Sequence, residues 1–112
     1  MHIAHNVDFG EDCLVLAHST VAGSATIGRG VLMSGQTGVL DHIKIADHTI
    51  LVQRAGVIND IDTPGTYAGL PIQPVKDYFR NAAVAHKLVE LRKQVRQLEK
   101  QISELSEKSN GV

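Results

Sequence analysis

His5 and Gly23 stand eighteen residues apart, and together they hold the ingredients of acyl transfer. An imidazole changes charge near neutral pH and can take a proton from an attacking group, while a backbone amide with no side chain around it can receive the oxyanion that then develops. His42 joins them if the chain folds so that distant segments stack. The simpler structural reading of His5 is a surface histidine at a corner of the fold, and which reading holds depends on the elements that carry it.

Those elements are written in a six-residue period. Ile3, Phe9, Val15, Val21, Ile27, Met33, Val39, Ile45, Leu51 and Val57 follow one another without a slip. The residue after each is often small (Ala4, Gly10, Ala22, Gly28, Ser34, Ala46), and the one two places before is small or β-branched (Val7, Cys13, Ser19, Ala25, Val31, Thr37, Ile43, Thr49, Ala55). A helix would repeat its apolar stripe at three and four and a long strand at two, so neither fits. Short strands joined by corners do fit: each hexapeptide forms one side of a three-sided coil, and coils of eighteen residues stack as parallel strands about 4.8 Å apart. The expected fold is an all-β solenoid over residues 1–60. A short-stranded sandwich would place its turn signals at longer or irregular spacing.

The period stops at Val57, because position 63 is Thr, and all three prolines follow within DIDTPGTYAGLPIQPV. Residues 61–75 are therefore expected to form a Pro/Gly loop over the last coil. Beyond it, Leu88, Leu91, Val95, Leu98, Ile102 and Leu105 alternate spacings of three and four among charged and amide side chains. This pattern predicts a heptad helix over 76–108, which needs a partner to bury its seam, and a frayed tail over 109–112. A short prism with a thin core adds to the expectation of a homo-oligomer.

Stacking at eighteen residues makes columns. His5 lies under Gly23 and Asp41, and Asn6 under Ser24 and His42, all in outward slots two and three places after the inward aliphatic. Thr20, Gly38 and Gly56 form another column, in which the glycines leave a shallow track where an acyl chain could lie; the alternative is that they only ease corners. Arg54, Lys76 and Arg80 could receive an acidic partner, or be ordinary surface charge. A zinc site built from His5, His42 and His48 is the competing chemistry. Its ligands should differ by whole coils, and they do not.

The runs HIAHNV, VAGSATIG, LDHIKIAD and TPGTYAGLPIQPVKDYFRNAA resemble the C-terminal part of UDP-3-O-(3-hydroxyacyl)glucosamine N-acyltransferases, hexapeptide acyltransferases of lipid A biosynthesis. The resemblance implies a left-handed parallel β-helix followed by a C-terminal α-helix, assembled as a trimer with sites between subunits. It implies transfer of a 3-hydroxyacyl chain from acyl carrier protein to the 2-amino group of UDP-3-O-acylglucosamine. No cofactor would be bound; the donor brings its own 4'-phosphopantetheine. His5 then corresponds to the general base, Gly23 to the oxyanion amide and His42 to a residue lining the same site, with Asn6 and Ser24 beside it. His2 acquires no such role and is expected at a corner. Family members carry further coils and a uridine-binding domain before this segment, so the chain is expected to be a truncated or short form without them. A non-catalytic trimeric scaffold or carrier-binding remnant is the alternative, and a γ-type carbonic anhydrase a further one.

Composition limits the remaining classes. The 112 residues carry 11 Lys and Arg against 12 Asp and Glu, which gives no whole-chain argument for nucleic acid. One cysteine, Cys13, allows no internal disulfide and points to a reducing compartment. The sequence shows neither a basic leader followed by an apolar stretch nor a run of membrane-spanning length, so a soluble cytoplasmic protein is expected.

Overall fold

The computed structural model describes residues 1–110. Ten two-residue strands recur every six residues: β1 (His2–Ile3), β2 (Asp8–Phe9), β3 (Leu14–Val15), β4 (Thr20–Val21), β5 (Thr26–Ile27), β6 (Leu32–Met33), β7 (Gly38–Val39), β8 (Lys44–Ile45), β9 (Ile50–Leu51) and β10 (Gly56–Val57). They stack into three parallel sheets, β1-β4-β7-β10, β2-β5-β8 and β3-β6-β9, the last continued by two further strands. Register advances by eighteen residues, with Ile3 beside Val21, Val21 beside Val39 and Val39 beside Val57. The parallel solenoid expected from the hexapeptide period is present.

Two positions of each hexapeptide face inward. The aliphatic ladder Val21, Ile27, Met33, Val39, Ile45, Leu51 and Val57 is buried, and so are Ser19, Ala25, Val31, Thr37, Ile43, Thr49 and Ala55 two places before. Each fully buried aliphatic side chain contributes roughly 1.5–3 kcal/mol. The inward hydroxyls are satisfied: Thr37 Oγ1 donates to Ser19 Oγ at 3.0 Å, Ser19 Oγ to the Ser34 carbonyl at 3.0 Å, and Thr49 Oγ1 to the Ala46 carbonyl at 2.7 Å.

The corners turn by a device that the small residues do not supply. The third residue after each inward position from Ile3 to Leu51 adopts left-handed φ, near +60°: Asn6, Asp12, His18, Ser24, Gly30, Gln36, His42, His48 and Arg54. Asn, Asp, His and Gly tolerate that conformation best, and six of these nine are of those types. Its amide then donates to the coil before, as Ser24 N–H does to the His5 carbonyl and His42 N–H to that of Gly23. The small residue just after the aliphatic answers a different need. A Cβ on Gly10 would lie 2.6 Å from the Arg29 nitrogen, so coils approach there more closely than a side chain permits.

The expected loop over 61–75 is corrected in part, because a fourth coil continues with two residues fewer. Ile61 is buried and bridges Ile45. Six residues later Tyr67 pairs with Leu51 in β11 (Thr66–Ala68), which runs parallel to β9. The inward series therefore steps from Val57 to Ile61 and then resumes its period. Asp60 Oδ1 caps the shortened turn by accepting the Lys44 amide at 2.8 Å. The chain then reverses through Gly69 (φ +92°) into β12 (Gln73–Pro74), antiparallel to β11.

The chain divides into two compact units, residues 1–79 and those from Arg80 onward. The single helix expected over 76–108 is two, α1 (Val75–Ala85) and α2 (Leu88–Asn110). Between them Lys87 N–H bonds three residues back to Val84, a tight turn that ends α1, and Leu91 N–H to Lys87 opens the regular spacing of α2. The seam residues of α2 are exposed in this chain, Leu98 and Ile102 among them. Of the expected frayed tail, Ser109 and Asn110 are helical, and 111–112 lie outside the described residues. Among the described residues no helix is long and apolar enough to cross a membrane.

Candidate active site

The corner between the β1-β4-β7-β10 and β2-β5-β8 sheets carries His5 and Asn6 from the first coil, Gly23 and Ser24 from the second, and Asp41 and His42 from the third. The eighteen-residue register brings His5 directly against Gly23. A Cβ on Gly23 would lie 2.8 Å from His5 Cε1 and 3.0 Å from Nε2, so the imidazole occupies the space that any side chain would need. Gly23 has no left-handed φ to explain its type. The ring against it does.

Gly23 also offers a donor. Around Val21, Ile27, Met33 and Val39 the amides flanking the inward aliphatic donate to the coil after and the amide at the left-handed corner to the coil before, whereas the amide between them makes no backbone hydrogen bond. Gly23 N–H is of that kind and has no acceptor among the described residues. One coil on, His42 Nδ1 lies 3.0 Å from Asp41 Oδ2, and the ring donates there when Nδ1 carries the proton. That hydrogen bond, with one to Asp41's own backbone, holds the Asp41 carboxyl below its ordinary range. Asn6, Ser24 and His42 follow one another along the corner as expected, all with left-handed φ.

Beside this corner an apolar groove of about 600 Å³ opens on the β1-β4-β7-β10 face. It runs from His2, Ala4, Ala22 and Gly23 past Thr20 and Gly38 to Gly56, Ile58 and Leu70. Gly38 lines open space, its nearest non-neighbour atom from a Cβ being Thr20 Oγ1 at 3.5 Å. Gly56 is covered: the Leu70 side chain lies where its Cβ would be, and closes that end of the groove. Leu70 gave no sequence signal, because its position depends on the path of the chain after the repeat ends. His2, expected at a corner, is on strand β1 and lines the groove.

The expected basic residues do not gather here. Arg54 lines the groove from another corner, its Nε donating to Gln36 Oε1 at 2.7 Å. Lys76 and Arg80 are on α1 and do not line it. Of the three histidines a zinc site would use, His5 and His42 share one corner while His48 lies at the next, its ring packed on Gly30. Among the described residues no three His, Cys, Asp or Glu side chains converge to hold a metal.

An imidazole against a bare peptide beside an apolar groove can deprotonate a nucleophile that attacks a carbonyl carrying a long apolar chain. The chain is 44% identical over 105 residues to a UDP-3-O-acylglucosamine N-acyltransferase of Methylococcus capsulatus, covering 94% of this chain and 30% of the relative. It matches one segment of the UDP-3-O-acylglucosamine N-acyltransferases. Others of that name include those of Campylobacter curvus, 38% identical over 71% of this chain and 26% of the relative, and Wolinella succinogenes, 35% over 79% and 28%. The chain thus spans less than a third of the length of these relatives. No family model matches it.

Proposed function

We propose that this chain forms the acyl-transfer centre of a UDP-3-O-acylglucosamine N-acyltransferase, moving a 3-hydroxyacyl group from acyl carrier protein to the 2-amino group of the UDP-sugar. The contact of the His5 ring with Gly23, which lines the apolar groove, carries the reading. His5 takes a proton from the acceptor amine as its nitrogen attacks the thioester carbonyl, and Gly23 N–H receives the oxyanion. Collapse of that intermediate forms the C–N bond and breaks the C–S bond, and the imidazolium returns its proton to the 4'-phosphopantetheine sulfur. The acyl chain lies along Gly38 toward Gly56, with Asn6, Ser24 and His42 bordering the reacting end. The chain itself binds no cofactor.

The active form in this reading is a trimer in the cytoplasm. The α2 seam is exposed along its length, and burying it needs other helices; three copies would set grooves between neighbouring prisms. Arg54, on the groove, would meet the acidic carrier protein. Sedimentation of the intact chain and of Leu98→Asp tests the assembly, since a charge in the seam should dissociate it. Incubation with 3-hydroxyacyl carrier protein and UDP-3-O-acylglucosamine tests the chemistry, with the amide product read by mass. Absence of product with retained carrier binding would favour the scaffold reading, and zinc-dependent carbon dioxide hydration the carbonic anhydrase one.

A further inference from the structure

The neighbouring corner shows what the corresponding amide does when a carboxylate stands one coil on. Arg29 N–H donates to Asp47 Oδ1 at 2.8 Å. Asp47 lies eighteen residues beyond Arg29 in the same slot, two after the inward aliphatic, and Asp41 stands in the same relation to Gly23. The same corner hydrogen bond is made at both, His48 N–H donating to the Arg29 carbonyl at 2.7 Å and His42 N–H to the Gly23 carbonyl at 3.1 Å. Yet the Asp41 carboxylate goes to His42 instead, and Gly23 N–H has no acceptor among the described residues.

The two corners differ at the residue before the amide, which is Gly28 in one and Ala22 in the other. A Cβ on Gly28 would lie 2.5 Å from Asp47 Oδ1, and 2.6 Å and 2.8 Å from the Asp47 nitrogen and the Ile45 carbonyl oxygen, so glycine lets both the next coil and its carboxylate come close. The Asp47 carboxylate therefore occupies the space a methyl group would fill. At the other corner Ala22 has that methyl group. We propose that Ala22 is a positioning residue whose methyl keeps the Asp41 carboxylate off the Gly23 amide, leaving that amide for the substrate oxyanion. The inference rests on the acyl-transfer reading only for what the amide is kept open to receive. Without the exclusion, the chain's own carboxylate would fill the anion site.

Amide ¹H–¹⁵N spectra of the full chain test it, with Arg29 as the internal standard: Asp47→Ala should move the Arg29 amide proton upfield. In Ala22→Gly the Gly23 amide proton should move downfield and exchange more slowly, and adding Asp41→Ala should reverse both changes. In the native background Asp41→Ala should leave Gly23 in place. The proposal is overturned if native Gly23 responds to Asp41→Ala as Arg29 does to Asp47→Ala, or if Ala22→Gly leaves the amide unmoved in a folded chain. Acyl transfer should fall about 10²-fold in Ala22→Gly and recover when Asp41→Ala is added. A fall that is not recovered would overturn the exclusion. Should the native chain not turn over, the acyl-transfer reading falls and the spectra alone decide.

Discussion

Adding one methyl group at Gly23 should separate function from folding. The new Cβ would start 2.8 Å from His5 Cε1 and 3.0 Å from Nε2, against a comfortable carbon–carbon separation of roughly 3.5–4.0 Å. The imidazole must therefore retreat by about 1 Å, and a misplacement of that size in a catalytic group costs on the order of 10²-fold in rate, near 2.7 kcal/mol of transition-state stabilisation. Stability should change little, by less than about 1 kcal/mol, because the colliding group is the end of an exposed side chain and Gly23 has ordinary φ. Gly10→Ala is the control. There the new Cβ meets backbone, 2.6 Å from the Arg29 nitrogen and 2.7 Å from the Gly28 carbonyl carbon, so overpacking should cost about 1–3 kcal/mol. Turnover and denaturant midpoints measured on both variants give the comparison. A Gly23→Ala chain that turns over at the native rate, or loses rate only as far as it unfolds, would refute the argument.

Three further outcomes are expected. Ile61→Ala should lower the unfolding free energy by about 2–4 kcal/mol, as for any buried rung of the ladder; a loss below about 0.5 kcal/mol would place Ile61 in a surface loop. The lowered pKa of Asp41 contributes stability above the ordinary carboxyl value, and that contribution is lost as pH falls through the lower folded value. His42→Ala should therefore raise the Asp41 titration toward the ordinary value of 3.8 in carboxyl ¹³C spectra, and an unmoved titration would deny the pairing. Gly56→Met must push aside the Leu70 side chain, which lies where the new Cβ would be, and should shorten the preferred acyl chain by crowding the closed end of the groove; unchanged preference would put the chain elsewhere.

The solenoid was legible because its code is short and its core simple: one aliphatic residue every six, which sandwiches and helices do not produce. The same arithmetic paired His5 with Gly23, since stacking fixes which residues meet whatever their types. It failed after Val57, where a coil two residues short moves the next inward residue to Ile61 among prolines and glycines that read as loop. A search for the period in shifted phase would have found Ile61 and Tyr67. The break at His86 and Lys87 also left a trace, as the heptad series begins only at Leu88. Leu70 over Gly56 left none, because nothing periodic sets that contact. Nor did spacing show that the histidines at 18, 42 and 48 suit a left-handed corner, so that His42 serves the backbone as well as any chemistry.

The central claim is that the imidazole of His5 acts as the base at this spot, and chemical rescue tests it most directly. Initial rates of amide formation are measured for the native chain and for His5→Ala, with and without added imidazole. Removing the ring leaves a gap beside Gly23, so the account predicts a loss of at least about 10²-fold and a partial, saturable recovery with free imidazole. Native rates in His5→Ala, or a loss that imidazole does not relieve in a folded chain, would contradict it.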